Sequence, residues 1–390
     1  MFGLHTRRSR VLAVYDISSG SVGGAHVLLP TTDEEKSVFL TSVREASASQ
    51  ETLDVEHLIR ATDACLERVI AQVRKEDVHH PEAITVLLSS PWYRSQTHTI
   101  VYKKPSPFTC TRALIEELIE EEIKTITAEP GLFGAYHSDS IIIEKQLSAI
   151  KLNGYVTDAP YDKETTSIEC SLMLTIAPTQ AIKLFSDTLR RSYGPRPLRF
   201  TTNLFATFIV MRDVMPLIKD DGLIMDVGEE VTDSAFIEDG VLLYQHSFPV
   251  GTENLYRALG AQGVYTLSES RALFESYRLQ KLAPTAVSTI TTAIATYVEQ
   301  WKNGLQHMLV AEERGAYVPE TILIVADERF EQLLVNPLTI DPLLRHYYVS
   351  GPPHISFVAA ALFDSLSKTA NHGPRDIPLS IGTLFAKRLL

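Results

Sequence analysis

Two short clusters in this chain carry residue types that can hold phosphate. An apolar run ends in Asp16 and gives way to Ser18, Ser19, Gly20 and Ser21. Small residues let backbone N–H groups approach phosphate oxygens, and hydroxyls add donors. The pattern recurs far along the chain, where an apolar run ends in Asp226, a small turn follows, and a strand returns at 234–238. Hydrogen bonds to charged groups contribute about 1.5–3 kcal/mol each, so a few fix a polyphosphate. Asp16 and Asp226, each closing a strand, could hold a hydrated magnesium ion between the turns, because magnesium keeps much of its water. Thr232 would then face the terminal phosphate from the second turn. The competing reading is a pair of Gly-rich hairpins in which Asp is only a turn former. Repetition in the same order favours phosphate-loop ancestry.

The elements that position these residues follow from periodicity. Residues 11–15 and 25–29 read as strands, with a third in "KSVFLTSVRE". Val55, Leu58, Ile59, Leu66, Val69, Ile70 and Val73 share one helix face. The continuous apolar run "AITVLLSS" before Pro91 predicts a strand buried on both sides. From 89 to 178 the texture is that of a compact α+β insertion, with strands in "THTIVYKK", "IIIEKQLSAIKLNG" and "IECSLMLTIAP". Its helix carries the stripe Leu114, Ile115, Leu118, Ile119, Ile123 and Ile126. Glu116, Glu117, Glu120 and Glu121 form a solvated face; no His or convergent carboxylate accompanies them as a metal site would need. A helix "TQAIKLFSDTLRRSYG" leads into the second Asp turn, after which Asp239 and Gly240 predict a tight hairpin. Residues 253–317 read as helical, with a core stripe of Val287, Ile290, Ile294, Val298, Trp301, Leu305 and Met308. "TILIVADERFEQLL" gives a buried strand and helix, and "PHISFVAAALFDSL" an apolar helix. The fold class is α/β.

Composition narrows the function. At 390 residues and 45% hydrophobic content the chain can build more than one core. Its formal charge of −12, with no basic tract, argues against nucleic acid and acidic membranes as partners. Cys65, Cys110 and Cys170 are odd in number and far apart, which supports neither a disulfide framework nor a zinc site. The basic start meets only a short apolar run before Asp16, so a signal peptide is not expected, nor is a membrane span. G-x-x-x-x-G-K-[ST], G-x-G-x-x-G and G-x-S-x-G are all missing. His79 and His80 precede Pro81 without partners at metal spacing.

Two strand, Asp, small-turn, strand units in a duplicated α/β chain resemble the actin, Hsp70 and sugar kinase superfamily, and within it the bacterial FtsA/PilM group. "VYDISSGSVGGAHV" looks like the first phosphate loop of that group, and "IMDVGEEVTDSAFIEDG" followed by "FPVG" like its second. The resemblance adds Gly228 and Gly251 to Asp16, Ser18, Ser19, Gly20, Ser21, Asp226 and Thr232 as nucleotide-binding positions. It implies a duplicated actin-like (ribonuclease H-like) fold: a first domain at 1–88 and 179–219, an FtsA-type α+β insertion at 89–178, and a second domain at 220–255 and 318–390. A helical subdomain at 256–317 interrupts the second domain.

The resemblance also implies ATP and Mg as ligands, and three departures put both in doubt. Ala326 and Asp327 stand where the group has a Gly-Gly turn beside the base. Phe274, in "SRALFESY", stands where a nucleoside-enclosing Lys belongs, and Glu229 where Gly is frequent. Nucleotide binding is expected to be weak or lost, and catalysis to be at most weak ATP hydrolysis. The nearest resemblance within the group is to the division actin FtsA, and the role it implies is a cytoplasmic scaffold of bacterial cell division that associates with itself and recruits partners, reaching the inner face of the membrane only through them; a PilM-like scaffold of a pilus or secretion assembly is the first alternative. A weak ATPase or small-molecule kinase is the remaining alternative. The tail "IPLSIGTLFAKRLL" is read as a final helix packed on the first domain rather than as a membrane-interface helix.

Overall fold

The structure, a computed structural model, describes residues 10–30, 32, 35–47, 55–128, 139–157, 159–262, 265–282, 284–310, 317–340, 344–348, 351–369 and 375–389. Strands β1 (Arg10–Ile17), β2 (Ser21–Leu29) and β3 (Ser37–Ala46) form an antiparallel meander. Gly23 and Gly24 lie inside β2 rather than in the turn. A side chain on Gly24 would stand 2.6 Å from the Tyr15 ring, so its absence admits the core. Helix α1 (Val55–Glu76) buries every residue of its predicted stripe except Val55, which stands at its exposed first position. Strand β4 (Ala83–Leu88) pairs in parallel with β1.

The chain then builds a separate sheet from β5 (Arg94–Cys110), α2 (Arg112–Ala128), β6 (Ser140–Leu152), β7 (Tyr155–Val156) and β8 (Lys163–Pro178), in the order β5-β8-β6-β7. Ile115, Leu118 and Ile126 of α2 pack against Ile168, Cys170, Leu172 and Leu174 of β8. Helix α3 (Thr179–Tyr193) returns to the core of α1, and β9 (Leu198–Thr202) extends the first sheet beside β4. Helix α4 (Asn203–Ile209) begins where the Thr202 hydroxyl accepts from the Phe205 N–H at 3.1 Å.

The second half repeats the scheme with β10 (Gly222–Val227), β11 (Thr232–Glu238) and β12 (Val241–Phe248) as its meander. Asp239 (φ 51°) and Gly240 (φ 71°) both take the left-handed conformation that a two-residue hairpin requires. Helices α5 (Glu253–Ala261), α6 (Leu267–Arg278) and α7 (Pro284–Val310) follow, then β13 (Thr321–Ala326) parallel to β10, and α8 (Glu331–Ile340). In α7, Ile290, Trp301, Leu305 and Met308 are buried, while Val287 lies at the rim.

The apolar segment near 355–366 is not the helix its composition suggested. It forms β14 (His354–Phe357), parallel to β13, and a 3-10 turn at Ala360–Phe363. A short apolar run reads either way until a partner is present, and the open edge of β13 supplies one. Strand β15 (Ser367–Thr369) adds to β3, and α9 (Ile377–Leu389) closes the described chain.

The orders β3-β2-β1-β4-β9 and β12-β11-β10-β13-β14 are the same arrangement, so the molecule is two copies of one topology. As expected, α9 packs on the first sheet, with Leu379 and Ala386 against Leu12, Val14 and Val27. Its Gly382 comes so close that a Cβ would meet Val14 at 2.8 Å. Among the described residues no helix is long and apolar enough to cross a membrane.

Candidate functional site between the lobes

Each lobe aims the end of its central strand at the other. Asp16 occupies the penultimate position of β1, opposite Gly23, and Asp226 that of β10, opposite Asp233. All three carboxylates are buried. Burial pushes the Asp16 carboxyl up to about 6 against the pull of Arg44. Burial, then the charge of Asp233 and, further off, that of Asp16, push Asp226 up to about 8, so that it holds a proton at neutral pH. Asp226 therefore feels the charge of Asp16 from the other lobe, and Asp16 that of Glu229.

Neither carboxylate is free. Arg44, from β3, reaches Asp16 Oδ2 at 2.7 Å, Asp376 Oδ2 at 2.5 Å and Ser21 Oγ at 2.9 Å. Asn203 Nδ2 donates to Asp226 Oδ2 at 2.9 Å. Asp233 accepts from Ser90 Oγ at 2.7 Å, Ser247 Oγ at 2.5 Å and Tyr93 Oη at 3.1 Å. Asp16 Oδ1 and Ser19 Oγ are buried without a partner.

The first turn is tight: Ser18 N donates to Ser21 O at 3.0 Å, and Trp92 Nε1 to Ser18 O at 3.0 Å. The second turn is closed by Gly228 N to Val231 O at 3.0 Å, and Gly251 packs behind it, where a Cβ would lie 2.4 Å from the Glu229 carbonyl. Between the turns stands Glu229, with Oε1 at 3.1 Å from Ser18 Oγ and 3.0 Å from Ser21 Oγ. Thr232 does not face the cleft as the sequence reading placed it. It is fully buried, donates to Val250 O at 2.7 Å and accepts from Trp301 Nε1 at 3.2 Å. A hydroxyl so buried must find an internal partner, and the adjacent strand end provides it.

Phe274, which the resemblance placed beside a nucleoside, belongs to an aromatic core. Phe274 is buried with its ring centroid 5.1 Å from Phe330 and 6.1 Å from Tyr256. Asp327 caps the turn after β13, accepting from Arg329 N at 2.9 Å; burial would raise its carboxyl, but the Arg329 guanidinium holds it below the usual range. Sequence reasoning missed Arg44, Asn203, Asp233, Ser90 and Tyr93. Only Asn203, next to the helix-capping Thr202, lies at a local signal; the others meet the site solely through chain pairing.

By sequence the chain matches no family model and no curated protein. By structure it is similar to a "PilM-PilN type IV pilus biogenesis complex" chain, with a TM-score of 0.63, 11% identity, and coverage of 96% of this chain and 98% of that one. Looser likenesses are to a Bacteroides thetaiotaomicron protein described as having an actin-like ATPase fold and unknown function (TM-score 0.39, 11% identity, covering 99% of this chain and 98% of that one), and to a Streptomyces griseus ROK family glucokinase solved with glucose and AMPPNP (0.43, 13%, covering 96% and 98%). The repeated strand order and the two-way coverage of the PilM-containing structure lead to one conclusion: this chain has the duplicated actin-like fold, with an α+β subdomain inserted in its first half.

Proposed function

We propose that this protein is a PilM-like scaffold of a pilus or secretion assembly, acting through protein contacts rather than through turnover of a nucleotide. The observation that carries this reading is the likeness to the PilM of a PilM–PilN complex over 96% of this chain and 98% of that one. The state of the cleft supports it. The first-turn hydroxyls are bonded to a carboxylate, and Asp16 is paired with Arg44. The residues present therefore do not fit a magnesium–nucleotide, and ATP is expected to bind no better than high micromolar, about −5 to −6 kcal/mol. On this reading the protein works in the cytoplasm, or at the inner face of the membrane through its partners.

The test is cross-linking in the native cell, purification of the tagged chain and identification of what comes with it. Recovery of pilus or secretion assembly proteins is the expected result. Recovery of division proteins instead would replace this reading with an FtsA-like role. Submicromolar ATP binding by calorimetry would favour a kinase or ATPase.

A further inference from the structure

The hydrogen bonds of Glu229 follow a pattern that an anionic ligand would produce. Its carboxylate projects from the β10–β11 turn of the second lobe into the β1–β2 turn of the first, where Ser18 and Ser21 hold it at 3.1 and 3.0 Å. Ser21 is in turn engaged by Arg44 at 2.9 Å, so the acceptor sits at the end of a cation–hydroxyl relay. Two hydroxyl donors backed by a guanidinium are what one phosphoryl oxygen would require. The fit is also steric. A Cβ on Gly20 would stand 2.7 Å from Glu229 Cγ, and one on Gly251 would stand 2.4 Å from Glu229 C and O, so a glycine from each lobe clamps this residue. A second carboxylate of the same lobe repeats the device: Asp233 crosses to Ser90 and Tyr93 of the first lobe at 2.7 and 3.1 Å.

We propose that Glu229 is a built-in anion that occupies the phosphate turn of the first lobe and latches the two lobes together without a nucleotide. Beneath it lies a latent oxyanion site of Ser18, Ser21 and Arg44 that takes inorganic polyphosphate once the carboxylate is removed. The proposal rests on the degenerate-pocket reading above and goes beyond it, because it assigns the displaced ligand's place to one side chain. The carboxylate excludes polyphosphate by filling the donors and by like charge, and the scaffold keeps its closed form whatever the cellular nucleotide level.

The experiment is calorimetric titration of the full chain with sodium tripolyphosphate. The wild type is expected to show no binding below millimolar concentration, and Glu229→Gly at least a tenfold gain in affinity. Arg44→Ala added to Glu229→Gly should abolish that gain, which places the anion in the turn. Small-angle scattering should show the lobes of Glu229→Gly opening without the anion and closing with it. Should the glycine variant not fold, Glu229→Gln decides by the same titration, with a gain of threefold or more expected. A folded variant that gains nothing overturns the proposal, as does a gain that survives Arg44→Ala. Wild type that binds tripolyphosphate tightly also overturns it. Failure of the pocket reading is distinguished by tight ATP binding to the wild type, whereas failure of the latch alone leaves ATP weak and the variant unchanged.

Discussion

Asp226→Asn should make this protein more stable in alkaline solution than the wild type, by an amount that grows with pH. Burial and the adjoining Asp233 push the Asp226 carboxyl up to about 8, far above the ordinary aspartate value of 3.8. Below pH 4 the folded and unfolded states both carry its proton. Between about 4 and 8 the unfolded chain releases the proton while the folded chain keeps it, so stability falls as pH rises and levels off above 8. Each unit is worth about 1.36 kcal/mol, so the three units from pH 5 to 8 place the cost at about 4 kcal/mol. Asparagine has no proton to lose and keeps a carbonyl oxygen to accept from Asn203. Urea unfolding of both proteins at pH 5, 7 and 8.5 measures the difference, in which titrating groups distant from Asp226 cancel. The variant should gain on the wild type by about 4 kcal/mol across that range. A difference that stays flat within about 0.5 kcal/mol would refute the assignment of a neutral Asp226.

Gly251→Ala would set a Cβ 2.4 Å from the Glu229 backbone, an overlap that only a backbone shift relieves, and should lower unfolding stability by about 3 kcal/mol in urea titration. Phe274→Lys, which introduces the residue type that the resemblance implied, would place an ammonium among Tyr256 and Phe330; the melting temperature should drop and calorimetry should show no gain in ATP affinity. The chain should not sediment with anionic liposomes, because the apolar residues of α9 are packed inside, Leu379 and Ala386 against the first sheet and Ile381, Leu384 and Phe385 in the cluster that includes α4. Deleting 378–390 should therefore give insoluble protein, detected by size-exclusion chromatography, and strong sedimentation lost on that deletion would contradict the packing.

Sequence by itself determined the features whose cause is local. Alternation and apolar runs marked β1, β10 and β13, three- and four-residue spacing marked α1 and α7, and Asp239–Gly240 specified a hairpin because few residue pairs tolerate two consecutive left-handed conformations. The order of the two Asp turns revealed the duplication, since each repeat carries its own strand and turn chemistry. Tertiary structure decided whatever depended on a distant partner. The segment of β14 became a strand only because β13 offered an edge. Thr232 turned inward because the Val250 carbonyl and the Trp301 indole were the partners at hand. Arg44 neutralises Asp16 from another strand, and Glu229 meets Ser18 across more than half the chain. Charge pairing in a buried cleft is fixed by which side chains the folded sheets bring within about 3 Å, and no local pattern of residues encodes that distance.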